Sequence, residues 1–113
     1  MAGIRNLDAA DRKVYEALDQ TTTLEFPDNT IGEVIPFLAD LHGIKIRVDK
    51  KALEDEGISI ESRIEFVIGD VSLRTALPLL LSKVGDAELD YYIDDGILFV
   101  TTNEKAAGVK KLR

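Results

Sequence analysis

The chain has 113 residues, of which 45% are hydrophobic and 31% are charged, so it is long enough for one globular domain and too short for two. Its formal net charge of −7 removes the attraction to phosphates that dominates non-specific nucleic-acid binding, and we therefore expect no nucleic-acid partner. The sequence has no cysteine and no apolar run near the ~20 residues that span a membrane, which excludes thiol chemistry and argues against direct membrane insertion.

Residues 1–20 are predicted to be an N-terminal extension with one short helix. Val14 and Leu18 give a partial apolar stripe and Asp8 is a candidate N-cap, so the helix is expected over about residues 9–19. The first residues lack the apolar segment of a signal peptide. A module that belongs to a longer protein would begin in the same way.

A strand–helix–strand pattern then occurs twice. One helix is expected over Thr30–Gly43 and the other over Ser72–Gly85, 42 positions later, each with a hydroxyl residue at its start and a glycine at its end. Alternating β-prone residues precede the two helices, at residues 21–26 and 63–71. The repeat predicts an α+β fold in which a duplicated βαβ unit places two helices in one core.

Shorter elements connect and follow these two copies. We expect a turn at residues 27–29, a strand with one exposed face at 44–49 and one helical turn at 49–57, capped by Asp49. Residues 103–113 are polar and basic, and they are expected to form a frayed tail.

A C-terminal β-hairpin is predicted around Asp95-Gly96, because this dipeptide tolerates the positive φ of a tight primed turn. In that register Tyr92 pairs with Phe99, and Ile97 lies on the same outer face. The aromatic pair would stabilise the sheet, or it would hold an incoming peptide or strand, and the sequence leaves both interpretations open.

Each long helix carries an interior proline, Pro36 or Pro78, on the side opposite its apolar stripe. Phe37 and Leu79 follow the two prolines and point to the same outer side, so each helix is apolar on two faces. Either a second small sheet covers these side chains, or they form an exposed patch that docks a partner.

The sequence contains no recognisable catalytic or metal-binding pattern. His42 is the only histidine, and its equivalence to an apolar position of the second copy predicts packing or capping at a helix end. The acidic clusters near residues 54–56, 86–90 and 94–95 lack the spacing of a calcium loop. We therefore expect no catalytic residue, metal or cofactor, and a protein that is not an enzyme.

The two stretches TLEFPDNTIGEVIPFLADLHGIKIRVDKKAL and VIGDVSLRTALPLLLSKVGDAELDYYIDDGILFVTT resemble the short N-terminal domain of secretins and TonB-dependent signalling receptors, the STN domain. The resemblance covers about residues 24–102. It implies two helices sandwiched between two small β-sheets, in modules of the bacterial cell envelope that bind other proteins.

Together, the repeat and the resemblance predict an STN-like domain over residues 21–102. Its expected function is a non-catalytic protein–protein interaction module of a periplasmic or cell-envelope system, within a longer protein. Its partner would be another protein or another domain of the same chain. A structural self-assembly or ring-forming domain is the alternative, with a homo-oligomer as its consequence. The candidate interaction surface comprises Tyr92, Ile97, Phe99, Phe37 and Leu79.

Overall fold

The computed structural model describes residues 9–85 and 88–111, without the side chains of residues 110 and 111. The expected cap Asp8 lies outside these residues. In chain order the elements are α1 (Ala9–Leu18), β1 (Thr21–Thr30), α2 (Ile31–His42), β2 (Lys45–Val48), α3 (Lys50–Asp55), β3 (Arg63–Ser72), α4 (Leu73–Leu81), β4 (Leu89–Asp94), β5 (Ile97–Thr102) and α5 (Asn103–Lys111). Among the described helices, none is long and apolar enough to cross a membrane.

The strands form two small sheets, which confirms the predicted α+β class. In sheet A, β1 pairs with β3 in antiparallel orientation. In sheet B, the central strand β5 runs parallel to β2 and antiparallel to β4. Helix α2 contacts β1 and β2, while α4 contacts β3 and β4, so both long helices lie between the two sheets.

Helix α2 has the boundaries that its sequence predicts. The Thr30 hydroxyl accepts a hydrogen bond from the Glu33 N–H at 3.2 Å, and the Glu33 carboxylate accepts one from the Thr30 N–H at 3.0 Å. The bond from the Thr30 backbone, followed by one from the Asn29 amide, lowers the pKa of Glu33 below its usual value. At the other end, Gly43 adopts a left-handed conformation with φ of 65°.

Helix α4 starts after Ser72 as expected, but it ends at Leu81 and does not continue to Gly85. The Ser82 hydroxyl donates a hydrogen bond to the Leu79 carbonyl at 2.6 Å, and the Val84 N–H bonds to Leu81 at 3.2 Å, three residues back. The Ser82 hydroxyl thus competes for a carbonyl that a backbone N–H of a continuing helix would use. The chain therefore leaves the helix in a tight turn before Gly85, which still has φ of 60°.

The expected turn at residues 27–29 is wrong, because β1 continues through it to Thr30. The register with β3 shifts between Phe26 and Asn29, and Pro27 lies in this irregular part of a two-stranded sheet. A proline is tolerated there because β1 is an edge strand and the irregular pairing needs no N–H from it. The Arg63 guanidinium also contacts the Asp28 carboxylate at 3.2 Å across the two strands.

The expectation of a frayed C-terminal tail is also wrong, since Asn103–Lys111 form α5. The Thr102 hydroxyl accepts a hydrogen bond from the Lys105 N–H at 3.2 Å, which satisfies one of the unpaired donors at the start of this helix. Ala106 is fully buried, and α5 contacts β4 and β5. The Thr102 cap, the buried Ala106 and the contacts with sheet B hold this polar segment as a helix.

The C-terminal hairpin has the predicted register. Ile93 lies opposite Leu98 and Tyr92 opposite Phe99. Asp95 and Gly96 have φ of 54° and 77°, the positive values that a type I′ turn requires at both central positions. Leu98 is fully buried, so the inner face of sheet B completes the core between the sheets and the two long helices.

Candidate functional site

The two residues that follow the helix prolines are exposed in the structure. Phe37 is 49% exposed and Leu79 is 45% exposed, whereas their neighbours Leu38 and Leu80 are buried at 0% and 1%. The ring of Phe37 meets Phe26 edge to face, with ring centroids 5.5 Å apart. Neither side chain is fully covered, although Phe37 packs on a strand of sheet A, and docking of a partner at these two side chains stays a prediction.

The three candidate residues of the hairpin share one face of sheet B, on the side away from the core. The rings of Tyr92 and Phe99 stack with centroids 5.0 Å apart and an interplanar angle of 17°. These two rings and the side chain of Ile97 are half-buried. The exposed Lys45 and Arg47 of β2 lie beside Ile97 and Phe99 in register. The structure thus groups the hairpin residues, while Phe37 and Leu79 stand on two separate helices.

His42 is a buried packing residue, as expected, but it does not bond to helix carbonyls. Its Nδ1 lies 2.9 Å from Gln20 Oε1 and its Nε2 lies 3.1 Å from Thr22 Oγ1. Since the amide oxygen can only accept, Nδ1 carries the proton and donates to Gln20, and the Thr22 hydroxyl can donate to Nε2. Burial lowers the pKa of His42 below its usual value because the charged form is poorly solvated.

This shift predicts that acid destabilises the fold through His42. The unfolded chain binds a proton near pH ~6.5 and the folded chain only at lower pH, so the stabilisation is present above pH ~6.5 and is lost as pH falls through the lowered pKa. We expect the urea midpoint to fall between pH 7.5 and pH 5.5. In a His42→Val variant, which copies the equivalent Val84, this fall should shrink. An equal fall in both proteins would contradict the assignment to His42.

Sequence reasoning missed a groove between α4 and β4. Two adjoining cavities of about 410 and 430 Å³ share Pro78 and Asp90 as lining residues. Arg74 and Pro78 of α4, with Ser82 directly after the helix, form one wall, and residues 88–93 form the other. Within the described residues, β4 is an edge strand that pairs with β5, and the Tyr91 N–H donates a hydrogen bond to the Asp90 carboxylate at 2.7 Å. The proline in α4 was a visible signal, but its sequence position alone does not reveal a neighbouring strand.

The two ends of the groove differ in chemistry. At one end, tyrosines on α1 and β4 lie beside Arg74, whose guanidinium pairs with the Asp19 carboxylate at 3.0 Å. Burial raises the pKa of Tyr91 at this end. At the other end, Glu88 and Asn103 also line a further cavity of about 250 Å³ together with Glu56 and Glu104. The groove therefore runs from an aromatic end to an acidic one.

Metal-ligating side chains are not grouped among the described residues. No group of three or more acidic, histidine or cysteine side chains there could hold a metal ion. His42 has hydroxyl and amide partners and no carboxylate among its hydrogen bonds. Two acidic clusters, residues 54–56 and 94–95, are exposed to solvent, and part of the third lies outside the described residues. The fold and these surfaces define a small α+β domain whose distinctive features are apolar patches and a groove.

Comparisons of the chain with known protein families and with curated proteins find no match.

Proposed function

We propose that this domain is a non-catalytic protein–protein interaction module of a bacterial cell-envelope system, of the STN type. The observation that carries the proposal is the exposure of Phe37 and Leu79, at 49% and 45%, at equivalent positions of the two repeat copies. Burial of an exposed apolar side chain of this size against a partner lowers the free energy of the complex. Two such residues on the two central helices give a partner two apolar anchors.

The resemblance of residues 24–102 to the STN domain supports the proposed location in the cell envelope. In this view the domain is part of a longer protein whose other parts lie in the periplasm or the envelope. The chain needs no cofactor or metal for this role, because binding depends only on shape, apolar area and charge.

A structural self-assembly domain is the alternative, and the charges of sheet B favour it. One edge strand, β2, carries exposed Lys45 and Arg47, while the chain as a whole carries a net charge of −7. A basic edge on an acidic molecule allows a head-to-tail contact, which closes into a ring or extends as a filament.

A bait experiment tests the interaction role. We expect the immobilised domain to retain a protein from the envelope fraction of its source cells, and a Phe37→Ser/Leu79→Ser variant to lose that protein. Both changes are at half-exposed positions, so the variant should stay folded. The matched control is Val67→Ser, which removes a side chain that is 67% exposed on sheet A.

Two outcomes would count against the interaction role. Equal retention of the protein by the double variant and the control would show that Phe37 and Leu79 do not contribute to binding. Light scattering at two protein concentrations separates the alternative, since a molar mass that rises with concentration would favour self-assembly.

A further inference from the structure

We propose that the outer face of sheet B binds an amphipathic helix of another protein, one that carries acidic side chains along one flank of its apolar stripe. The inference rests on the proposed interaction role and names the chemistry of one partner segment, at a surface other than Phe37 and Leu79. The outer face comprises the side chains of Lys45, Arg47, Ile97, Phe99 and Tyr92.

The strand register of sheet B brings these side chains into two rows. Lys45 lies opposite Ile97, and Arg47 lies opposite Phe99, which in turn pairs with Tyr92 across the hairpin. The alternate positions of β5, residues 98 and 100, are buried at 0% and 1%, so both rows point away from the core. The outer face therefore has cations along β2 and apolar or aromatic side chains along β5 and β4.

The two cations of the outer face have no acidic partner among the described residues. The ion pairs found there join cations of β3 and α4 to acids elsewhere. Lys45 and Arg47 are exposed, whereas the chain as a whole carries −7. Two neighbouring uncompensated cations on an acidic molecule favour an acidic partner at this position, because opposite potentials guide and orient association.

The apolar part of the outer face offers contact area next to these cations. The rings of Tyr92 and Phe99 stack with centroids 5.0 Å apart, and Ile97 lies two positions before Phe99 on β5. These side chains are half-buried, so each keeps part of its surface in solvent. Helix α5 contacts β4 and β5, and the exposed cations of β2 mark the side that is left for a partner. Aromatic and arginine side chains contribute most of the binding energy in protein interfaces.

The spacing of the two rows fits a helix that lies along the strands. Residues two apart on a strand are separated by about 6.6 Å, and residues four apart on a helix by about 6 Å. Acids at positions i and i+4 of the partner would thus meet Lys45 and Arg47. Apolar residues at i+3 and i+7 would meet Ile97 and Phe99. A helix also satisfies its own backbone hydrogen bonds, which an extended segment laid on a sheet face does not.

The cations lie along one side of the outer face only. On β4 the side chains of the same face are Asp90, Tyr92 and Asp94, which include no cation. The acids of the partner are therefore drawn to β2, and its apolar stripe lies over β5. The flank that carries the acids thus determines the direction in which the helix lies.

The test uses a synthetic helical peptide, acetylated and amidated, and amide chemical shifts of the labelled domain. The probe is an alanine- and glutamine-based chain of about 16 residues, with two glutamates four positions apart and a leucine three positions after each of them. We expect saturable shifts at Arg47, Phe99 and Tyr92. A probe with glutamines in place of the glutamates should bind about fivefold more weakly. No saturable shift at millimolar probe, shifts confined to another surface, or equal binding of the two probes would overturn the proposal.

A pair of matched variants tests the two cations. Lys45→Gln/Arg47→Gln should weaken binding of the acidic probe about fivefold. Arg12→Gln/Lys83→Gln makes the same change in net charge at exposed positions on α1 and after α4, and it should leave affinity within about twofold. Equal loss in both variants would reduce the effect to net charge and overturn the site.

Two further measurements distinguish the outer face from other surfaces and occupants. The Phe37→Ser/Leu79→Ser variant should bind the probe unchanged, so failure of the outer face and failure of the interaction role give different results. Shifts of the outer-face amides that grow with domain concentration in the absence of the probe would assign this face to a second copy of the chain and overturn the proposal.

Discussion

Gly96→Ala is expected to lower the free energy of unfolding by about 2–4 kcal/mol, which is large for the addition of one methyl group. Gly96 has φ of 77°, a conformation that costs a side-chain-bearing residue about 1 kcal/mol. A Cβ at this position would also lie 2.5 Å from the Ala10 Cβ in the first turn of α1. Either α1 or the hairpin turn must move, and the bond from the Gly96 N–H to the Asp11 carboxylate, 2.6 Å, would be lost.

Gly43 is the comparison for Gly96, because a substitution there causes backbone strain without steric overlap. Gly43 has φ of 65°, and a Cβ there would meet nothing within 4 Å, so Gly43→Ala should cost only about 1 kcal/mol. Denaturant unfolding of the two single variants gives the difference. In a double-mutant cycle, Ala10→Gly should recover at least about 1 kcal/mol of the Gly96→Ala loss. Equal costs at Gly43 and Gly96 would show that α1 does not pack closely on the hairpin turn.

The contact between the hairpin turn and α1 is one that the sequence does not predict. Asp95-Gly96 predicts a tight turn by itself, because the turn is a local property of two residues. The contact between Gly96 and Ala10 joins positions 86 apart, and no periodic pattern records which helix packs on which turn. Local signals were sufficient for the capping box of α2 and for the hairpin register, where the interacting residues are close in sequence.

The expected turn at residues 27–29 and the expected frayed tail are wrong for the same physical reason. Pro27 and its polar neighbours favour a turn locally, but pairing with Arg63 and Ile64 keeps them in β1. Residues 103–111 have weak amphipathicity, and contact with β4 and β5 orders them as a helix. In both cases tertiary contacts override a local preference. The groove along β4 was missed for the same reason, since its two walls are formed by elements that only the fold brings together.

The candidate interaction surface was partly predictable because it depends on helical periodicity. The interval of 42 residues aligned Phe37 with Leu79 and Leu38 with Leu80, and the structure exposes the first pair and buries the second. Tyr92, Ile97 and Phe99 were correctly placed on one face by strand alternation. Their degree of exposure was not predictable, since it depends on everything packed around that face.

Adjacent leucines on α4 provide the sharpest stability test of this arrangement. Leu80→Ala should lower the free energy of unfolding by about 3–5 kcal/mol, because Leu80 is 1% exposed and its removal leaves a cavity between the sheets. Leu79→Ala deletes the same atoms one position away, where the side chain is 45% exposed. We expect it to cost less than about 1 kcal/mol, since little area leaves the core and alanine favours the helix.

The same comparison applies to the first copy, where Leu38 is fully buried beside the exposed Phe37. Leu38→Ala should therefore resemble Leu80→Ala in cost, and chemical denaturation at neutral pH measures both. If Leu79→Ala proved as costly as Leu80→Ala, the outer side of α4 would be part of the core, and Leu79 would not be free to contact a partner. A small cost at Leu79 and a large one at Leu80 leaves its exposed area available for binding, because the fold does not depend on that side chain.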